Sequence, residues 1–491
     1  MVTIANLKCF DRITVHGIKL KPRGFRVDYT LEYDGLKKSY TLIQSYREEF
    51  NEQQLNEVAK LVSLVPVINY RLFTEEIRFD FSIHELDYKF FLDISEATAR
   101  DIFVNRIAKR TGLIRDEYVP DSKDVQPENT KPLAQVDLPE TFNGTSLDFN
   151  TDSSTCIVMT SGGKDSLLTY SLLKEAGMKV YPCFFNESGR HWLVALKAYT
   201  YFSANIPETK KVWSNLDRLF TFIERNMKIV IPNFLRKSKE FYPIRLFWFE
   251  HYAFSFLPIA GKYGVGNICF GNEFDDPSNL TFEFNGIKHY YATFDQSQEF
   301  EKYASNWFEQ RGINVKQWSP IRPVTGLVVE RVLARRYPEI FKLQMSCHSP
   351  LVKNGSLVPC GKCFKCTGII IFLLANGIEA TLLGYEKKHY RDLTRRILEN
   401  KYRLDESELE HSLYLANSIW GLNLPRGIKH PHVEMMHFDP ISSHVDAVPY
   451  CELREKIFDI LELYTLGYVI LQGSEWIETT REKVLRLGGC S

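Results

Sequence analysis

The sequence predicts an α/β fold for the middle of the chain, a doubly wound parallel sheet, with an N-terminal α+β domain before it and a helical C-terminal extension after it. Three observations predict this. Cys156-Ile157-Val158-Met159 is an unbroken apolar run, as expected of a strand buried on both faces. Leu167, Leu168, Leu172 and Leu173 then recur at helical spacing, and Gly177 ends the run. Residues 179–185 resume the strand pattern, so short apolar strands alternate with helices, and that rhythm calls for a parallel sheet covered by helices.

The elements follow in order. In residues 1–115, Phe25-Arg26-Val27-Asp28-Tyr29-Thr30-Leu31 alternates like a half-buried strand, and 39–43 and 77–81 do the same. Residues 53–62 have helical spacing, and 95–108 read as a helix with Ser95 as its N-cap. Residues 116–152 are polar and punctuated by Pro120, Pro127, Pro132 and Pro139, which predicts a linker wrapping between domains. The α/β domain is expected over 153–376, with 265–270 as another central strand, and helices over 377–491. The final Leu487-Gly488-Gly489-Cys490-Ser491 reads as a frayed helix end.

The bulk numbers set limits. A chain of 491 residues is long enough for two to four domains at ~150 residues each. Lys plus Arg and Asp plus Glu are 61 each, so no general attraction draws the chain to nucleic acid or to an anionic membrane, and neither is expected as a partner. Residues 1–15 carry Lys8, Asp11 and Arg12 and do not read as a secretory signal. The longest apolar run, 369–375, falls far short of the ~20 residues that span a bilayer, so a cytoplasmic protein is expected. Three of the ten cysteines fall within residues 360–366, which points to metal or redox chemistry and away from a disulfide scaffold.

Two motifs carry chemistry. Ser161-Gly162-Gly163-Lys164-Asp165-Ser166 follows a buried strand and opens a helix. The glycines let backbone approach a phosphate, and the helix start offers N–H groups and a positive dipole end. Ser161 and Ser166 can donate hydroxyls, Lys164 adds charge, and Asp165 can cap the helix or hold a metal indirectly. The Gly-x4-Gly-Lys-Ser/Thr spacing of a Walker loop is absent. In the second motif, Cys360, Cys363 and Cys366 form two successive Cys-x2-Cys spacings with Cys347 upstream, a donor set for a closed tetrahedral zinc site. An iron–sulfur cluster is the alternative occupant.

The six-residue loop resembles the PP-loop of the N-type ATP pyrophosphatases, of adenine nucleotide α-hydrolase-like fold. Together with Ser346-Cys347 and the cysteine run, it resembles the 7-cyano-7-deazaguanine synthase family. Further resemblances are Gly189-Arg190-His191 after the second strand, Gly271-Asn272-Glu273-Phe274-Asp275-Asp276 after the third, Thr293-Phe294-Asp295 before a helix, and Ser319-Pro320 with Thr325-Gly326. The likeness covers residues 155–375. It departs from the family at Lys164, in the longer gap from Cys347 to Cys360, at Gly326 in place of a lysine, and near Asp295, where Ser297 stands and an arginine is missing.

The resemblance implies an ATP-dependent ligase or synthase. ATP adenylates the carboxylate of 7-carboxy-7-deazaguanine, pyrophosphate leaves, and an amine displaces AMP to give an amide or, after a second activation, a nitrile. It implies ATP, Mg²⁺ and Zn²⁺ as cofactors. Catalytic roles fall to Ser161, Lys164, Asp165 and Ser166. ATP contacts fall to those residues with Gly162, Gly163, Phe185, Arg190 and His191, and substrate contacts to Glu273, Asp275 and Asp295. Zinc would bind Cys347, Cys360, Cys363 and Cys366. Enlarged relatives of the synthase occur in bacterial antiphage operons. The flanking segments would suit a protein amine as acceptor in place of ammonia, a partner subunit, or assembly into a homo-oligomer. Two other readings stay open: a tRNA-thiolating PP-loop enzyme, with Cys183 or Cys269 as its reactive thiol, and a non-catalytic nucleotide-binding component of a complex.

Overall fold

The computed structural model describes residues 4–110, 112–121, 125–144, 147–189, 191–232, 234, 244–290 and 293–489. One sheet of 11 strands organises the chain. In chain order its strands are β1 (Phe10–Val15), β2 (Lys19–Lys21), β3 (Gly24–Tyr33), β4 (Leu36–Tyr46), β5 (Thr74–Phe79), β6 (Gln135–Asp137), β7 (Asp152–Met159), β8 (Lys179–Asn186), β9 (Lys210–Ser214), β10 (Val265–Cys269) and β11 (Lys316–Trp318). They lie in the order β11-β10-β7-β8-β9-β4-β3-β1-β5-β6, with β2 on β3.

The five strands from β11 to β9 are parallel, as the strand–helix rhythm predicts. The sheet then continues without a break into the N-terminal strands. β9 pairs antiparallel with β4, with Val212 opposite Tyr46. Asn215, just past β9, binds both backbone groups of the neighbouring strand: its amide oxygen accepts from Ile43 N–H at 2.7 Å, and its Nδ2 donates to the Thr41 carbonyl at 2.9 Å. β1, β3 and β4 are antiparallel, as the alternating sequence suggests, whereas β5 and β6 add in parallel. β6 and a short strand, Thr141–Phe142, come from the proline-punctuated stretch.

Helices α1 (Glu52–Ile68), α2 (Glu85–Ile102), α3 (Lys164–Glu175), α4 (His191–Asn205), α5 (Trp248–Tyr263), α6 (Gln298–Gln310), α7 (Gly326–Arg336), α8 (Phe364–Ala375) and α9 (Glu406–Trp420) cover the sheet and build the C-terminal part. One apolar core runs from Phe10 and Ile13 through Phe90 to Phe254, Phe300 and Trp307. Beneath it, buried Arg311 forks onto Asp87 at 2.7 and 3.1 Å. Ser95 is not a helix cap. It lies inside α2, which starts ten residues earlier behind the His84 cap, and its hydroxyl bonds back to the Phe91 carbonyl.

The C-terminal part is also not wholly helical. Strands Met436–Phe438, Tyr468–Gln472 and Glu475–Thr479 form a small sheet. The β-branched run Val469-Ile470 and a turn through Gly473, at φ +64°, favour this hairpin over a helix. The chain's last described helix, Arg481–Leu487, closes at Gly488 within the expected frayed end, and only Cys490 and Ser491 of that end lie outside the described residues. Among the described residues, no helix is long and apolar enough to cross a membrane.

Candidate functional site

The Ser161–Ser166 loop, the candidate phosphate loop, sits at the C-terminal end of β7, where open α/β sheets leave their ligand crevice. Gly162 has φ +79°, and a Cβ there would meet the Val194 carbonyl at 3.2 Å. Loop hydrogen bonds fix its shape. Ser161 N–H donates to Ser166 Oγ at 3.2 Å, and the Ser166 hydroxyl donates to the Gly163 carbonyl at 3.2 Å. Gly163 caps α3, and a Cβ on it would find only Ser161 Oγ at 3.5 Å and Ser346 Oγ at 3.7 Å. The loop thus leaves the first turn of a 12-residue helix approachable.

Lys164 does not stand over that opening. It is 5% exposed, and its ammonium is held between Asp165 and Glu273, 5.8 Å from the centroid of the Phe372 ring. Burial opposes the Lys164 charge, but Asp165 and Glu273 outweigh it and raise its pKa. Glu273 shifts the other way from a simple ion-pair partner. Desolvation, then the Asp165 charge, push it well above the ordinary carboxylate range despite Lys164. Lys164 and Glu273 thus form one tightly coupled buried pair, with Asp165 as the third member. Gly271 packs against this trio: a Cβ there would lie 2.6 Å from the Asp165 carbonyl carbon.

The other expected residues divide. Asp275 joins the trio's surroundings, its pKa raised by desolvation against the pull of Arg322, Arg403 and Lys164. His191 opens α4 and is held neutral, at about 4, by desolvation and then by Lys365. Phe185, next to last in β8, has its ring stacked on Tyr252, centroids 4.4 Å apart. Asp295 accepts from the Phe249 N–H at 3.3 Å near the start of α5, and desolvation lifts it to about 6. Arg190 lies outside the described residues.

The sequence reading missed several residues that face the same crevice. Tyr252 donates to Glu187 at 2.6 Å, and Glu187, 2% exposed, is pushed up to about 8 by desolvation. Phe247, directly before α5, adopts a left-handed backbone at φ +62°, a strained conformation for a bulky residue and one that clusters at functional sites. From beyond residue 375 come Arg403, which acts electrostatically on Asp275, Lys365 and His348, and Glu408, which accepts from Leu327 N–H at 3.1 Å. Glu408 lies in the first turn of α9, behind the Asp405 N-cap, and nothing local in the sequence marks it because tertiary packing brings that helix to the site.

The four cysteines converge as their spacing predicts. Their sulfurs all lie within 4.8 Å of one another, so the group can hold a metal ion such as zinc. A tetrahedron with Zn–S bonds of about 2.3 Å has edges near ~3.8 Å, and Cys360 Sγ to Cys366 Sγ is 3.8 Å. Backbone N–H groups of Ser349 and Cys360 donate to Cys347 Sγ at 3.3 Å, which suits a thiolate. Gly361, at φ +69°, has the His389 ring 2.4 Å from where a Cβ would be, and its carbonyl accepts from Arg396 at 2.7 Å. Among the described residues this is the one group of three or more donors close enough to share an ion, so the carboxylates near the loop form no cage of their own.

The cysteine site leans on the phosphate loop. Met345 N–H donates to the Gly162 carbonyl at 2.9 Å, and the Ser346 hydroxyl faces Gly163. Cys347 follows directly. No protein-family model matches the chain, and no curated protein matches it.

Proposed function

We propose that this protein is an ATP-cleaving enzyme of the PP-loop kind. In this reading it adenylates a carboxylate on a small, deazaguanine-type heterocycle and passes the acyl group to an amine, either ammonia or a protein amine. The observation that carries the reading is the loop itself. Ser161, Gly162, Gly163 and Ser166 form a compact cradle at the strand's C-terminal end, ahead of a helix N-terminus that glycine leaves open. The chemistry is the attack of a carboxylate oxygen on the α-phosphorus. The bond to the bridging oxygen breaks, and pyrophosphate carries away the electron pair.

The chain's own residues supply binding and orientation. Glu273, Asp275 and Glu408 form an acidic side of the crevice, with Glu273 raised by desolvation and the Asp165 charge, and Glu408 at about 7 through desolvation and the Asp405 charge. Such a side fits a heterocycle rich in N–H groups. Mg²⁺, which usually keeps its waters and binds through one or two carboxylates and the phosphates, would find Asp165 beside the loop. Zinc in the four-cysteine site would be structural, since all four positions are protein ligands. Antiphage defence is the setting that the resemblance suggests.

The thiolation reading is less well supported. Cys183 and Cys269 are buried, and desolvation raises both thiols well above their ordinary range, the opposite of a reactive thiolate. The test is direct. Purified protein with ATP, Mg²⁺ and 7-carboxy-7-deazaguanine is expected to release pyrophosphate and AMP, with the product read by mass spectrometry. ATP bound tightly but never cleaved, with any carboxylate offered, would instead identify a nucleotide-binding component.

A further inference from the structure

Most cations around the crevice are paired. Lys164 has Asp165 and Glu273, Arg245 has Glu224 and Asp217, Arg322 has Glu301, and Arg396 holds backbone carbonyls. Two are not. Among the described residues, neither Lys365 nor Arg403 makes a hydrogen bond or an ion pair.

Their position follows from the packing. Residues 345–348 cross the phosphate loop, through Met345 N–H on the Gly162 carbonyl and Ser346 beside Gly163. His348 N–H reaches Cys363 Sγ at 3.5 Å, and Cys363 caps α8. Lys365 is in the first turn of α8, so the cysteine site delivers it to the loop. One turn on, Leu404 Cδ2 lies 3.3 Å from where a Cβ on Gly368 would be, which brings the adjoining Arg403 alongside Lys365. Asp405 accepts from Asp276 N–H at 3.4 Å, anchoring the same segment on the acidic side.

Both side chains reach solvent. Arg403 and Asp165 both lie within electrostatic reach of Lys365. His348 feels Lys365, His191 and Arg403 after its own desolvation. Uncompensated positive charge in a concave site next to a phosphate cradle is the arrangement that a polyanion completes.

We propose that Lys365 and Arg403 clamp the β- and γ-phosphates of ATP, and hence the departing pyrophosphate. This rests on the ATP-cleaving reading above. As the bond from the α-phosphorus to the bridging oxygen breaks, charge grows on that oxygen and on the pyrophosphate behind it. The ammonium and the guanidinium are placed to meet it. The clamp joins two parts of the chain that the loop does not contain: the cysteine site supplies one cation, and the segment beyond residue 375 supplies the other. The nucleoside and α-phosphate end of ATP lies outside it.

The experiment uses the full chain and calorimetric titration with Mg²⁺-pyrophosphate and, separately, AMP. Lys365→Ala and Arg403→Ala are each expected to weaken pyrophosphate binding about tenfold or more, with AMP affinity, metal content and thermal midpoint unchanged. Arg403→Lys is expected to recover part of the loss, since it keeps charge but not the two-pronged fork. Pyrophosphate affinity unaltered in both alanine variants, or AMP affinity falling in step with it, overturns the clamp. If the wild-type chain binds neither pyrophosphate nor ATP, the ATP-cleaving reading itself fails. A wild type that binds and cleaves ATP beside indifferent variants sinks the clamp alone.

Discussion

Gly271→Ala tests whether the acidic loop, Gly271 to Asp276, holds the Ser161–Ser166 loop in place. An alanine Cβ at 271 would lie 2.6 Å from the Asp165 carbonyl carbon, 2.8 Å from its oxygen and 2.9 Å from its Cβ. Ordinary contact begins near 3.4 Å, so two backbone segments must part by about 0.8 Å. Neither can give way alone, because Asp165 is in the first turn of α3 and the next residue after Gly271, Asn272, is bonded to Ser319 and Glu301. Overpacking of this kind costs roughly 1–3 kcal/mol. A misplacement approaching ~1 Å at a reacting centre costs on the order of 100-fold in rate. Urea unfolding and ATP-dependent AMP release should therefore both fall. Gly163→Ala is the comparison, since its Cβ has room at 3.5 and 3.7 Å and its φ is −83°. It should leave stability within about 0.5 kcal/mol of wild type while crowding the phosphate cradle. If Gly271→Ala matches wild type in both stability and AMP release, the close abutment does not set the loop's position.

Three further outcomes are expected. Stripping the metal with a chelator, or Cys363→Ser, should lower the thermal midpoint and weaken ATP binding about tenfold or more, because Met345 and Ser346 lean on the loop beside Cys347. Undiminished ATP affinity in metal-free protein would uncouple the two sites. Glu250 is fully buried, neither carboxyl oxygen has a hydrogen-bond partner among the described residues, and desolvation raises it to about 8. Gln317 lies near it without bonding geometry. The folded state therefore keeps a proton that the unfolded chain loses above its ordinary carboxyl pKa, so this group's contribution falls as pH rises through the window up to about 8. Glu250→Gln should gain on wild type with increasing pH, by up to ~1.4 kcal/mol per pH unit, and the gain should level off above that window. Denaturant titrations at pH 5 and pH 8 that give the same difference would refute this. Last, a chain beginning at Asp152 should fail to unfold cooperatively and should aggregate. It would expose the β9 edge that β4 covers and strip Phe254 and Trp307 of their Phe90 neighbour.

What could be read in the sequence was what consecutive residues carry. Cys360, Cys363 and Cys366 declare metal chemistry within seven positions, and the structure gathers the sulfurs accordingly. The parallel strands were legible too, since burial on both faces leaves unbroken apolar runs. The joining of β9 to β4 was not, because Val212 and Tyr46 are far apart in sequence and pairing partners leave no local mark. Polar Asn215, which stitches that seam, reads in the sequence as an ordinary turn residue. Ser95 misled because a good capping residue inside an amphipathic helix looks like a start, whereas His84 serves as the cap. Arg403, Glu408, Tyr252 and Glu187 escaped for the same reason as the seam: distant segments bring them to the crevice.

Lys164 bears on how the two sides of the crevice act together. Replacing a buried ionic group with apolar residues is often neutral or stabilising, so the fold does not require this lysine. The surroundings nevertheless make room for it. Gly326 has no Cβ, and one placed there would meet Glu273 Oε2 at 2.9 Å and the Phe372 ring at 2.9 Å. The charge thus sits where the phosphate loop, the acidic loop, the start of α7 and the middle of α8 meet, bonded to a carboxylate from each of the first two. Asp165 and Glu273 cannot move independently while both hold the same ammonium. Any ion that draws Asp165 away from Lys164 also changes the field at Glu273, whose pKa is raised in part by the Asp165 charge. The lysine therefore couples the Ser161–Ser166 loop to the segment that carries Glu273. A loop lysine free in solvent could add charge to the phosphates, but it could not link the two.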